Sequence, residues 1–222
     1  MMRTVAVVAL KGGSGKTTIA AHLALAAHLR GLKVLVADTD PQRSTMEVLG
    51  ARATPGPETL AASGAGLLAA KFGAERTGKD LMIVDTAAGA LEDASEALVL
   101  ADFAVVVVRP TLLDLHALAR TMTLVSRLKK PFTVVVNQAQ PAREGVEAPQ
   151  VVRAMKALSY MRVSIAPVIV RARTIYQTAL ETGRTAEELQ DAAAAREMAA
   201  LWDYVDLRTE ADEEEEALEG RA

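Results

Sequence analysis

The chain has 222 residues, half of them hydrophobic, which is enough to bury the core of one well-packed domain. It contains no cysteine, so disulfides, thiolate zinc sites, cysteine nucleophiles and cysteine-held iron–sulfur clusters are excluded. The net charge of −3 is uneven: residues 209–222 carry seven acids and one arginine, which leaves a body of net +3.

In chain order, "TVAVVAL" (Thr4–Leu10) is a short β-branched run that ends at Gly12 and Gly13, and it predicts a buried strand. From Lys16 the pattern turns helical, with Ile19, Leu23, Ala26 and Ala27 on one face, and Gly31 supplies a left-handed stop. "KVLVAD" (Lys33–Asp38) is a second strand. Residues 41–78 are punctuated by Pro55, Gly56, Pro57, Gly64, Gly66 and Gly73, and only short helices are expected there. "DLMIVD" (Asp80–Asp85), "FAVVVVR" (Phe103–Arg109) and "PFTVVVN" (Pro131–Asn137) are further strands. They are separated by helices at Leu91–Leu100 and from about Asp114. A helix near Val151–Leu158, a short strand near Val163–Val168 and helices to about Val205 complete the body.

Strands that are apolar throughout, alternating with helices, indicate an α/β fold with a doubly wound, mostly parallel sheet covered on both faces. We expect a single domain over residues 1–208 and an acidic, disordered tail over 209–222, since runs of like charge repel and solvate. No run approaches the ~20 apolar residues that span a bilayer. The Val5–Leu10 stretch is too short for a signal peptide.

Two features carry chemistry. Gly12, Gly13, Ser14, Gly15, Lys16 and Thr17 stand between a strand and a helix. Glycines let backbone N–H groups turn inward around phosphate oxygens, and the helix N-terminus adds its positive dipole end. Lys16 would reach β- and γ-phosphates and the Thr17 hydroxyl would ligate Mg²⁺. The competing reading is a glycine-rich turn that only starts a helix. The second feature is three acids at strand ends: Asp38, Asp40 and Asp85. In a parallel sheet these ends face the phosphate loop, where a hard cation and an attacking water both need carboxylates. One such acid alone could simply cap the next helix.

These stretches carry a resemblance. "KGGSGKTT", "VADTDPQRS" and "MIVDTAAG" resemble the deviant Walker A, Asp-x-Asp-Pro-Gln and Walker B motifs of the ParA/MinD family of P-loop ATPases. "RPTLLDLHAL", "VVVNQ" and "VRARTIYQTALETGRT", with its Gly183, resemble later family segments, so the likeness runs over about residues 3–200. The resemblance implies ATP and Mg²⁺ as cofactors and slow ATP hydrolysis that a partner accelerates. It gives Lys16 the β/γ-phosphates, Thr18 the α-phosphate, and Thr17 and Asp85 the Mg²⁺. Asp38 would support the metal, Asp40 would position the attacking water, and Asn137 would read adenine. Lys11 matches the signature lysine, which in this family reaches the other subunit's nucleotide; on spacing alone it is equally a surface lysine. Departures are Ala87 and Ala88 where prolines are frequent, Arg43 where glycine is common, and Ala9-Leu10 before Lys11.

The implied function is an ATP-dependent homodimer that holds nonspecific DNA. A ParB-like or adaptor partner would trigger hydrolysis, and the cargo would be a plasmid, a chromosome region or a protein cluster. The implied location is the cytoplasm, on the nucleoid. Arg153, Lys156, Arg171 and Arg173 are the candidate DNA contacts, although lysines and arginines are by default a solvated face. The short stretch before the first strand is expected to leave no room for an operator-binding domain. A MinD-like membrane regulator is the alternative, disfavoured by the acidic terminus. A metabolic ATP-dependent enzyme of the same fold is another, and it would need an added substrate pocket.

Overall fold

The computed structural model describes residues 2–219. Six strands form one all-parallel sheet: β1 (Arg3–Val8), β2 (Val34–Asp38), β3 (Glu58–Ala61), β4 (Leu81–Asp85), β5 (Phe103–Val108) and β6 (Phe132–Val136), in the order β3-β2-β4-β1-β5-β6. Every residue of β1, β2, β4 and β5 is buried, which is why these strands read as unbroken apolar runs. Side chains alternate between two cores. Val5 and Val7 of β1 face α1 (Lys16–Leu29), α7 (Thr174–Leu180) and α8 (Ala192–Glu219). Ala6 and Val8 face α3 (Ala65–Arg76), α4 (Leu91–Leu100), α5 (Leu112–Arg127) and α6 (Pro149–Tyr160). Trp202 of α8 is 2% exposed within the first core.

Two expected elements differ. The segment near Val163–Val168 makes only an isolated bridge from Ile165 to Val134, because Pro167 has no N–H with which to extend a ladder. The sixth strand is instead β3, a four-residue, largely exposed edge that pairs with β2. The acidic segment expected to be disordered from Thr209 continues α8 as far as Glu219. Thr209 is 2% exposed and accepts a hydrogen bond from Arg3 Nη1 at 3.2 Å, so the helix enters the acidic run already anchored. Alanine and glutamate, strong helix formers, then propagate it cheaply. Residues 220–222 lie outside the described residues.

The topology places the site. β1 lies between β4 and β5, where the chain's winding reverses direction, and ligands bind outside the carboxyl ends of strands at such a point. Asp38 and Asp85 are register partners at the ends of β2 and β4, and Val7 of β1 pairs with Asp85. The loop after β1 therefore opens directly beside both acids.

Candidate nucleotide-binding site

The floor of the site is the turn from β1 into α1. Gly13 and Gly15 adopt φ of +74° and +90°, the left-handed region that turns successive N–H groups toward one point. Gly15 caps α1 with no side-chain acceptor on the first-turn N–H groups and no acid in that turn, which leaves a ready anion site. A Cβ on Gly15 would also collide with Asn137 Nδ2. Lys16 is 6% exposed; burial lowers its pKa, while Asp85 and Asp40 oppose that shift and favour the charge. A buried ammonium that feels two carboxylates and stands beside an N–H nest is suited to bind phosphate.

Asp85 is fully buried. Its Oδ2 accepts hydrogen bonds from Thr17 Oγ1 at 2.8 Å and Thr45 Oγ1 at 2.5 Å, while Oδ1 is buried with no partner among the described residues. Burial pushes its pKa up to about 6 against the pull of the Thr45 and Thr17 bonds. An orphaned carboxylate oxygen beside a threonine hydroxyl fits a hard divalent cation, whose charge would relieve that burial. Among the described residues no three His, Cys, Asp or Glu side chains cluster to hold a metal by themselves, so phosphate and water oxygens must complete such a shell.

Asp38, expected to support the metal, does its visible work through backbone N–H groups. Oδ1 accepts the Asp40 N–H at 3.0 Å, and Oδ2 accepts the N–H groups of Thr45 (3.0 Å) and Met46 (3.2 Å). The carboxylate thus ties the turn after β2 to the start of α2 (Ser44–Gly50) and so delivers both Asp40 and Thr45 to the site. Asp40 is half-buried, and its Oδ1 accepts the Gln42 N–H at 2.9 Å.

Lys11 stands at the mouth. Its Nζ donates to Asp114 Oδ2 at 2.9 Å, and Arg109 Nε donates to Asp114 Oδ1 at 3.0 Å. Thr111 caps α5 by accepting the Asp114 N–H at 3.2 Å and donates its own hydroxyl to that carboxylate. Asp114 is 3% exposed; burial works to raise its pKa, but Thr111, Arg109 and Lys11 together hold it below the usual carboxylate range.

On the far side of the loop, Asn137 is 3% exposed and donates Nδ2 to Ser14 O at 2.8 Å, while Gln138 Nε2 reaches Gly13 O at 3.3 Å. Asn137 therefore braces the phosphate loop. It also lines a cleft of about 360 Å³ with Thr18, Gln138, Arg171, Arg173 and Tyr176. Arg171 and Arg173 stand in its wall, not on a free basic strip. Arg171 pairs with Glu147 (2.8 and 2.5 Å), and Arg173 pairs with Glu197 (3.0 and 2.6 Å). Arg153 and Lys156 are exposed one turn apart on α6. A larger groove of about 510 Å³ runs along α6 around Val151, Met155 and Ile169, but it brings together none of the loop lysines or strand-end acids.

A family model for the CobQ/CobB/MinD/ParA nucleotide binding domain matches residues 5–194. The chain belongs to this family. A curated relative, a putative replication protein A of Rhizobium rhizogenes, is 47% identical over 58 residues; the match spans 26% of this chain and 13% of that protein. The McdA apo structure from Cyanothece superposes with a TM-score of 0.78 at 19% identity, covering 92% of this chain and 100% of that one. MinD of Aquifex aeolicus gives 0.74 at 19% (91% and 96% covered). A putative plasmid partition protein of Borrelia burgdorferi bound to AMPPNP gives 0.72 at 14% (91% and 98%). At these identities the likeness is one of fold: the P-loop NTPase sheet of MinD and ParA.

Within that family the departures have physical consequences here. Arg43 takes φ +53°, the left-handed conformation that glycine adopts freely and that costs another residue about 1–2 kcal/mol. Ala87 donates its N–H to Thr39 Oγ1 at 3.0 Å, a bond that proline could not make. Sequence reading missed Thr45, Arg109 and Asp114. The Thr-x-x-Asp spacing of Thr111 and Asp114 was visible as a helix start, but nothing local tied it to Lys11, 103 residues away.

Proposed function

We propose that this ParA/MinD-family chain is an ATPase that forms an ATP-dependent sandwich dimer, holds nonspecific DNA, and uses partner-stimulated hydrolysis to position a plasmid, chromosome region or protein-cluster cargo. In this reading the loop N–H groups and Lys16 hold the phosphates, with Thr18 near the α-phosphate. Thr17 and the free oxygen of Asp85 hold Mg²⁺, which would offset phosphate charge. Asp40, carried on the turn that Asp38 fixes, orients the attacking water and takes up its proton.

One observation supports the dimer above all. Lys11, five residues before Lys16, is engaged with α5 by Asp114 and contributes nothing to the floor of its own site. Two nucleotides facing each other across an interface concentrate negative charge, and a lysine from each side answers it. Arg153 and Lys156 are the exposed DNA candidates that remain; Arg171 and Arg173 serve the cleft.

Size-exclusion chromatography with light scattering, with ADP and with ATP, tests this on wild type and Asp40→Ala, alongside DNA binding at low salt. The expected result is a monomer with ADP and a DNA-binding dimer with ATP. That dimer persists in Asp40→Ala, where hydrolysis falls at least ~100-fold. A wild-type chain that stays monomeric with ATP overturns the reading.

A further inference from the structure

The carboxylate of Asp114 serves two cations at once. Lys11 Nζ occupies Oδ2 and Arg109 Nε occupies Oδ1, with the Thr111 hydroxyl also donating to Oδ2. Asp114 is 3% exposed, so it cannot be left without a cation at little cost. The Lys11 side chain is 31% exposed and has a water-facing route of departure. Arg109 sits at the exit of β5 with its Nη1 3.7 Å from where a Gly13 Cβ would stand, so its guanidinium spans the gap between the phosphate loop and α5.

We propose that Asp114 is the parking site of Lys11 in the single subunit, and that Arg109 is the positioning residue that keeps Asp114 neutralised once Lys11 leaves for a second copy's nucleotide. This inference rests on the dimer reading above. The single subunit holds its interfacial lysine in cis, which suppresses weak, nucleotide-free self-association. Release costs one of two cation contacts, not both, because Arg109 remains. The carboxylate therefore sets the threshold for dimerisation, and the arginine sets how far that threshold can be crossed.

The two residues act in opposite directions, which a merely structural role would not produce. ATP-induced dimerisation is measured as a midpoint in protein concentration by light scattering, with all variants in an Asp40→Ala background to stop turnover. ADP affinity and thermal melts report on the intact monomer. Asp114→Asn removes the parking charge, and its midpoint falls roughly tenfold. Arg109→Gln strands the carboxylate when Lys11 departs, and its midpoint rises by a similar factor. The double variant returns toward the parent, and Arg109→Lys rescues in part.

A higher midpoint for Asp114→Asn with normal ADP affinity, or no change in Arg109→Gln, overturns the inference while the dimer reading stands. A parent chain that never dimerises defeats both. Should Asp114→Asn fail to fold, wild-type Lys11 still reports: with ADP bound, acetic anhydride modifies it several-fold more slowly than exposed Lys129, as read by mass spectrometry. Equal rates overturn the parking site.

Discussion

The floor and the mouth of the site are built on opposite plans. At the floor, Lys16, Thr17, Thr45 and Asp85 lie within one chain, Thr17 and Thr45 both donate to Asp85 Oδ2, and among the described residues Asp85 Oδ1 and Ser14 Oγ are buried without partners. At the mouth, Lys11 and Arg109 are partly exposed around one buried acid, and the two residues before that acid, Leu112 and Leu113, are each 69% exposed. Burial strengthens electrostatics at the floor and makes it stiff. Exposure weakens them at the mouth, where two arrangements of similar free energy can therefore exist. A floor that is complete in one chain recognises nucleotide; a mouth with a displaceable cation can report that recognition to another chain.

The sharpest way to break this comparison is to remove one lysine from each region. If Lys16 holds phosphate as proposed, Lys16→Ala deletes a charge-assisted contact worth about 2–3 kcal/mol, so ADP and ATP affinity fall roughly 100-fold. Lys11→Ala changes ADP affinity by less than about threefold, since that ammonium faces Asp114, yet ATP no longer yields a dimer. Calorimetry with ADP and light scattering with ATP read the two effects separately. Equal losses of ADP affinity would erase the distinction between floor and mouth.

Asp85→Asn sharpens it by showing what the floor gives up in stability. The carboxyl binds its proton more tightly in the folded chain, at about 6 against 3.8 unfolded. Stability from this group is therefore greatest below pH 4, falls as pH rises from about 4 to 6, and stays at its lowest above 6. The neutral amide removes that deficit. The nucleotide-free variant gains about 1–3 kcal/mol at pH 8 and little near pH 4, while Mg²⁺-dependent nucleotide binding weakens. Urea unfolding at the two pH values measures it; a variant less stable than wild type at pH 8 would show that the Lys16–Asp85 attraction outweighs burial.

How legible each region was in the sequence follows the same division. The floor lies within short segments whose spacing fixes their geometry, so Gly12–Thr17, Asp38 and Asp85 could be placed from strand ends alone. The strands that carry them, β1, β2 and β4, are buried on both faces and announce themselves as apolar runs. The edge strand β3 did not, because Glu58-Thr59-Leu60-Ala61 is short, exposed and weakly β-forming, and only its ladder with β2 defines it. Asp38 reads as a cation ligand in a line of sequence; three backbone N–H groups, two of them in the next helix, make it a turn-fixing group in space. Asn137 binds Ser14 across 123 residues, and Asp114 binds Lys11 across 103, separations over which no local pattern carries information. Arg171 and Arg173 look like free cations until Glu147 and Glu197 are placed beside them.

The smallest expected effect on the single subunit is also the most discriminating. Leu112 and Leu113 open α5 directly before Asp114 and expose most of their side chains to water, where a single subunit gains nothing from them. If the mouth is an interface, they are its apolar rim beside the displaceable lysine. Replacing both with glutamine changes monomer stability by no more than about 0.5 kcal/mol, since no buried contact is lost. ADP affinity stays at the wild-type value, because the floor is untouched. The ATP-dependent dimer, in contrast, loses two leucines on each side. Burying one such side chain contributes about 1.5–3 kcal/mol when complete, so even partial burial moves the dimerisation midpoint at least ~10-fold. Urea unfolding and light scattering on the same preparation separate the two readouts. A midpoint that does not move would place the second copy elsewhere and remove these leucines from the proposed interface.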